Sequence, residues 1–159
     1  MKTNKKILII EDDPWVASAL NVRIASAGYE TVQAADAISA VSTALATRPD
    51  LVLVDINMPA GDGFWVVERI QALIPGRLPA VFITASKEPG LAERAFAKGA
   101  SGFIEKPYNP ENLLKLLHNL LEKPNPPDDP SHSAQREASP RPPHERPSAT
   151  SIPSFVRRR

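Results

Sequence analysis

Three runs of four apolar residues, Ile7-Leu8-Ile9-Ile10, Leu51-Val52-Leu53-Val54 and Ala80-Val81-Phe82-Ile83, restrict the fold more than anything else in the chain. Each is short for a helix, and none alternates with polar residues as a strand with one wet face must. We read them as strands buried on both faces, the pattern of a parallel sheet covered by helices on either side. Each run ends on polar groups: Glu11-Asp12-Asp13 after the first, Asp55 after the second, Thr84 after the third. In open α/β sheets the carboxyl ends of the strands line the crevice where ligands bind. These polar residues are therefore placed for chemistry.

The segments between the runs read as helices and outer strands. Asp13-Pro14 pairs a preferred N-cap with a preferred first helical residue, and Val16, Leu20 and Ile24 then recur at helical spacing up to Gly28. Residues 29–34 alternate weakly, as an outer strand does, and Asp36 caps a helix over residues 37–46. The second apolar run follows an exposed-looking Pro49-Asp50. Beyond its loop, a helix carries Phe64-Trp65-Val66-Val67 to Leu73-Ile74, where Pro75-Gly76 stops it. Phe64 and Trp65 are expected to serve packing. Leu91, Ala95 and Phe96 share one helical face up to Gly99, and Gly102-Phe103-Ile104-Glu105 makes a short last strand before Lys106-Pro107. Asn109-Pro110-Glu111 starts a final helix, rich in leucine from Leu113 to Leu121 and ending before Pro124. Alternation of five strands with five helices predicts right-handed crossovers and a doubly wound, parallel α/β sheet.

Composition sets the outer limits. Without cysteine there is no disulfide framework and no thiolate ligand, so a metal here must bind oxygen or nitrogen. Residues 1–123 carry 13 Lys/Arg against 14 Asp/Glu, and residues 124–159 carry six Arg against four acids. Neither balance argues for nucleic acid. No apolar run is long enough to span a bilayer, so the expectation is a cytoplasmic protein with no membrane partner. Nine of the 17 prolines fall in residues 124–159, which hold almost no aliphatic side chains before Ile152, Phe155 and Val156. Such a stretch cannot offset its ordering entropy. The expected organisation is a folded domain over residues 5–123 and a disordered Pro/Ser/Arg-rich tail over 124–159, with no output module there. The closing Phe155-Val156-Arg157-Arg158-Arg159 reads either as a short docking motif or as a solvated end.

Taken singly, each candidate site residue has an ordinary structural account. Asp55 could cap its loop, and Thr84 could make a local turn. Glu11 and Asp12 could be solvated acids that favour a helix N-terminus. Two carboxylates beside a packed strand, however, repel each other and lose hydration unless a cation offsets them. In the expected topology Glu11, Asp12, Asp55, Thr84 and Lys106 all fall on one edge of the sheet.

This set resembles the receiver domain of bacterial two-component response regulators over residues 5–123. It comprises an acid pair after the first strand, Asp-x-x-Met-Pro-x-x-x-Gly from Asp55 to Gly63, Thr84-Ala85 after the fourth strand and Lys106-Pro107 after the fifth. The resemblance implies a flavodoxin-like sheet of order 2-1-3-4-5. It implies that Asp55 is the phosphoryl acceptor, Lys106 the partner lysine, Thr84 the switch hydroxyl and Phe103 the aromatic switch position. Mg²⁺ would be held by Asp12, Asp55 and the main-chain carbonyl of Asn57, with Glu11 acting through water; many receivers carry Asp where this chain has Glu11. Asn57 and Ser86 would flank the path of the attacking water and set the phosphoryl lifetime, and Ala85 would leave room for the donor. The implied partners are a sensor histidine kinase or phosphotransfer protein. A downstream protein would dock on the face of the fourth helix, fifth strand and fifth helix. Such a protein catalyses only its own phosphorylation and dephosphorylation and is not an enzyme in the turnover sense.

Two other functions use similar parts. A phosphohydrolase of the haloacid dehalogenase type also places an Asp nucleophile at a strand end, but such enzymes show Asp-x-Asp, and the second position here is Asn57. A receiver-like binding module that is never phosphorylated is the other.

Overall fold

The computed structural model describes residues 4–59 and 61–122. The expectations for residues 124–159 lie outside the described residues. Five strands form the main sheet: β1 (Lys6–Ile10), β2 (Glu30–Ala34), β3 (Leu51–Asp55), β4 (Ala80–Thr84) and β5 (Gly102–Glu105). They are all parallel and lie in the order β2-β1-β3-β4-β5, the flavodoxin-like arrangement. Helices α1 (Pro14–Ser26), α2 (Ala37–Thr47), α3 (Gly63–Leu73), α4 (Leu91–Ala97) and α5 (Pro110–Glu122) connect and follow the strands. Among the described residues, no helix is long and apolar enough to cross a membrane.

The period of two along each strand divides the apolar runs between two cores. Ile7, Ile9, Leu51, Leu53, Val81 and Ile83 meet Leu20, Ile24, Leu113 and Leu117 from α1 and α5. Leu8, Ile10, Val52, Val54 and Phe82 meet the residues of α2, α3 and α4 on the opposite face. Every residue of β3 and β4 is buried, as unbroken apolar runs require. Helix starts follow their caps. The Asp13 carboxylate accepts from the Trp15 and Val16 N–H groups, Asp36 from Ile38 and Ser39, and Asp62 from Phe64.

Some expectations need correction. Trp65 is 52% exposed and Phe96 53% exposed, so neither serves the core. Phe64 alone of the Phe64-Trp65 pair packs inward, its ring 4.8 Å from that of Phe82. At 3.6 residues per turn Trp65 lies across α3 from the buried Phe64, Val66, Val67 and Ile70, so composition rather than helical position assigns it inward. Pro49 is buried rather than exposed. The loop after β3 contains a two-residue antiparallel ladder, Asn57–Met58 with Gly61–Asp62, which no apolar pattern announced.

That loop is tied down by a close approach at Gly63. A Cβ there would lie 2.5 Å from the Asp55 carbonyl oxygen and 2.9 Å from Ile56 Cα, both backbone atoms that cannot swing aside. Glycine is needed for space, and the Gly63 N–H also donates to the Ile56 carbonyl at 3.2 Å. Gly63→Ala is expected to destabilise the fold by about 1–3 kcal/mol, the usual range for overpacking. Chemical denaturation measures this, and a loss below about 0.5 kcal/mol would show that the loop relaxes freely.

Candidate functional site

Backbone pairing that continues past the strand ends sets the site residues in place. Glu11 N–H donates to the Ala34 carbonyl at 3.1 Å, Ile56 N–H to Ile83 at 3.0 Å, and Lys106 N–H to Thr84 at 2.7 Å. Glu11, Asp55, Thr84 and Lys106 thus stand at the carboxyl ends of β1, β3, β4 and β5. The Lys106–Pro107 peptide is cis.

Two small networks result. In the first, Lys106 Nζ lies 2.7 Å from Asp55 Oδ2 and 3.1 Å from Glu11 Oε2. The other oxygen of each carboxylate is also satisfied. Asp55 Oδ1 accepts from the Asn57 N–H at 2.8 Å, and Glu11 Oε1 accepts from the Asp13 N–H at 3.1 Å. In the second network, the fully buried Thr84 Oγ1 accepts from Asn57 Nδ2 at 3.1 Å and from the Ser86 N–H at 3.0 Å. Asp12 is half-buried on the same edge, and no hydrogen bond joins it to either network. Phe103 is half-buried, lies opposite Phe82 in the sheet register and packs against the α2–α4 core.

The electrostatics follow from burial. Glu11 and Asp55 are only 5% and 8% exposed. Burial raises the Glu11 pKa above its ordinary value, and the nearby Asp55 charge adds to the rise; the Asp13 N–H and Lys106 reduce it without cancelling it. For Lys106, burial alone would lower the pKa, but hydrogen bonds and charge attraction from Asp55 and Glu11 outweigh it, and the net shift is upward. One ammonium faces two buried carboxylates, leaving a net negative charge to which Asp12 adds.

Among the described residues, no three His, Cys, Asp or Glu side chains stand together as a metal-binding cluster. The donors on this edge are all oxygens: the Asp12, Asp55 and Glu11 carboxylates and the main-chain carbonyl of Asn57. A hard divalent cation such as Mg²⁺ suits that set, because it keeps several waters and needs only one or two carboxylates from the protein. The excess negative charge fits the same ion. The direct contact between Lys106 and Glu11 was not anticipated from sequence, although two acids facing one lysine on a shared edge was the available signal. The side-chain bond between Asn57 and Thr84 had no sequence signal, because it depends on the path of the loop.

The arrangement is that of a flavodoxin-like domain with a carboxylate presented between a lysine and further acids at the strand ends. Residues 7–118 match the response regulator receiver domain, and the chain belongs to that family. The DNA-binding dual master transcriptional regulator RpaA of Synechocystis sp. is 31% identical over 119 residues, covering 74% of this chain and 49% of that protein. The chain spans about half the length of this and other transcriptional regulators that it matches. Sporulation initiation phosphotransferase F of Bacillus subtilis is 31% identical over 118 residues, which is 74% of this chain and 94% of that protein. Among solved structures, chemotaxis protein CheY4 of Vibrio cholerae superposes with a TM-score of 0.67 at 33% identity, covering 75% of this chain and 100% of that one. The BeF3-activated N-terminal receiver domain of RstA from Klebsiella pneumoniae gives 0.69 at 28% identity, covering 75% and 100%. Receiver domains are phosphorelay signalling domains rather than turnover enzymes, and this membership disfavours the phosphohydrolase reading.

The upward shift at Glu11 predicts a stability gain on neutralisation. With the folded pKa above the unfolded one, the fold binds the proton more tightly, so ionising Glu11 weakens the fold as pH rises through the folded value. Glu11→Gln should therefore raise the Tm of the metal-free protein by a few degrees at pH 7. That advantage should shrink as pH falls through the folded value and vanish below the ordinary carboxylate range, where Glu11 is protonated in both states. Thermal melts across pH in chelator check both points; a lower Tm for the variant at pH 7 would contradict them.

Proposed function

We propose that Asp55 accepts a phosphoryl group from the phosphohistidine of a sensor kinase or phosphotransfer protein, and that the modified domain signals by docking on another protein. The observation that carries this reading is the Asp55 carboxylate itself. It is held at a strand end with one oxygen on Lys106 at 2.7 Å and the other on the Asn57 N–H at 2.8 Å. Such fixing of the nucleophile supplies the orientation that phosphoryl transfer needs. An Asp55 oxygen attacks phosphorus, a P–O bond forms, the P–N bond to the donor breaks, and the imidazole leaves with the electron pair. Lys106 follows the negative charge from the carboxylate to the phosphoryl oxygens. Mg²⁺, held by Asp12, Asp55 and the Asn57 carbonyl with Glu11 behind a water, would neutralise the repulsion between carboxylate and phosphoryl group. On this reading Asn57, whose N–H is bonded to Asp55, and Ser86, whose N–H is bonded to Thr84, tune hydrolysis of the acyl phosphate.

The chemistry is tested with Mg²⁺ and a small phosphodonor such as acetyl phosphate. The wild-type chain should gain one phosphoryl mass, and Asp55→Asn should gain none. Asp12→Ala should weaken Mg²⁺ binding at least tenfold, about 1.4 kcal/mol. Normal labelling of Asp55→Asn would refute the acceptor assignment, and a wild type that never labels would leave a receiver-like binding module.

Signalling is read at the switch pair. Phosphate on Asp55 gives Thr84 a charged acceptor, and movement of Thr84 frees space beside the half-buried Phe103 ring on the face of α4, β5 and α5. Thr84→Ala and Phe103→Ala should each still label, while reducing the phosphorylation-dependent gain in affinity for a docked target. The full gain is expected to be about five- to 150-fold. Isothermal titration with and without phosphorylation measures it, and an undiminished gain in both variants would reject this coupling.

A further inference from the structure

We propose that the side chain of Asn57 is a latch that holds Thr84 in its unphosphorylated position, so that Asn57 sets how readily the switch is thrown. The inference rests on the reading of Asp55 as phosphoryl acceptor and adds a role for Asn57 separate from its main-chain contacts. Asn57 touches both halves of the device. Its N–H donates to Asp55 Oδ1 at 2.8 Å, and its side-chain amide donates to Thr84 Oγ1 at 3.1 Å. With the Ser86 N–H at 3.0 Å, Thr84 Oγ1 already accepts two hydrogen bonds.

An oxygen held by two donors on a side chain with no exposed surface is not free to wander. The Ser86 N–H comes from the strand's own continuation two residues on and travels with Thr84. Asn57 belongs to the neighbouring loop, which the short ladder with Gly61–Asp62 and the seat of Gly63 hold in place. Displacement of Thr84 out of this position therefore stretches the bond from Asn57, whose loop is fixed, more than the one from Ser86. The energy of that bond counts against the switched state. A typical net hydrogen bond corresponds to about two- to tenfold in an equilibrium constant.

The test is a double-mutant cycle between Asn57→Ala and Thr84→Ala, with beryllofluoride plus Mg²⁺ as the phosphoryl-like probe. Asn57 is exposed, so Asn57→Ala removes the amide without opening the core. It also keeps the main-chain N–H on Asp55 and the main-chain carbonyl. Asn57→Ala should tighten beryllofluoride binding about two- to tenfold when Thr84 is present and leave it unchanged in the Thr84→Ala background. Without probe, Asn57→Ala should lower the Tm only when Thr84 is present. Weaker or unchanged probe binding with Thr84 present, or an equal change in both backgrounds, overturns the latch. If beryllofluoride binds no variant, the reading of Asp55 fails, and the Tm cycle alone decides: equal Tm changes in both backgrounds overturn the latch.

Discussion

Everything at the functional edge depends on one ammonium placed between two buried carboxylates. Lys106 reaches Asp55 and Glu11 from the end of an outer strand, across sequence separations of 51 and 95 residues. Without it, the ends of β1 and β3 would bring like charges together where water is scarce, an arrangement costly in free energy. The pairing is incomplete, because one positive charge cannot cancel two negative ones. The Glu11 pKa is raised first by burial, and the Asp55 charge adds to the rise. A site of this kind is stable enough to hold its geometry and unsatisfied enough to attract further cations. On the proposed reading, both properties are needed, because the acceptor must be positioned before the donor arrives yet must welcome a divalent ion.

The sheet supplies the rigidity. β3 is the middle strand, flanked by β1 and β4, and all five of its residues are buried. Its Leu and Val side chains alternate between the two cores, so a register slip of one residue would exchange them and turn Asp55 to the other face. Truncating one of these side chains would cost about 2–5 kcal/mol, a large part of the stability of a domain this size. The position of Asp55 is therefore enforced by packing along the whole strand, and Gly63 closes the loop against the Asp55 carbonyl from the other side.

This explains which parts were legible in the sequence. The strands, their parallel arrangement, the caps at Asp13 and Asp36, and the gathering of Glu11, Asp55, Thr84 and Lys106 on one edge all follow from short-range signals combined with one topological rule. The misplaced residues have a common cause. Trp65 and Phe96 are large and apolar, so composition assigns them inward, yet their helical positions face away from the buried residues of α3 and α4. The bond from Asn57 to Thr84 had no local signal either, because it joins a loop to a strand end 27 residues away. Lys106 was visible as a charge on the correct edge, but its choice of both Asp55 and Glu11 is a matter of reach and burial.

Aromatic packing joins the start of α3 to β4 and β5. Phe64 follows Gly63 directly, its ring lies 4.8 Å from Phe82, and Phe82 is paired in register with Phe103. Phe64 lies beneath two cations, the Arg94 guanidinium of α4 at 5.2 Å and the ammonium of Lys98, just past the end of α4, at 5.9 Å from the ring centre. Contacts of this kind at exposed positions contribute roughly 0.5–1 kcal/mol each. α4 is the shortest of the five helices, begins after a left-handed Gly90 and has no side-chain cap. Leu91 and Ala95 are its buried residues, the two cations cover Phe64, and Lys98 also pairs with Glu68 of α3. The ring that these cations cover belongs to α3, which starts at Gly63 against the Asp55 carbonyl. On the proposed reading, a change of charge at Asp55 would reach this short helix through the packing of Phe64, Phe82 and Phe103, and the helix borders the surface assigned to docking.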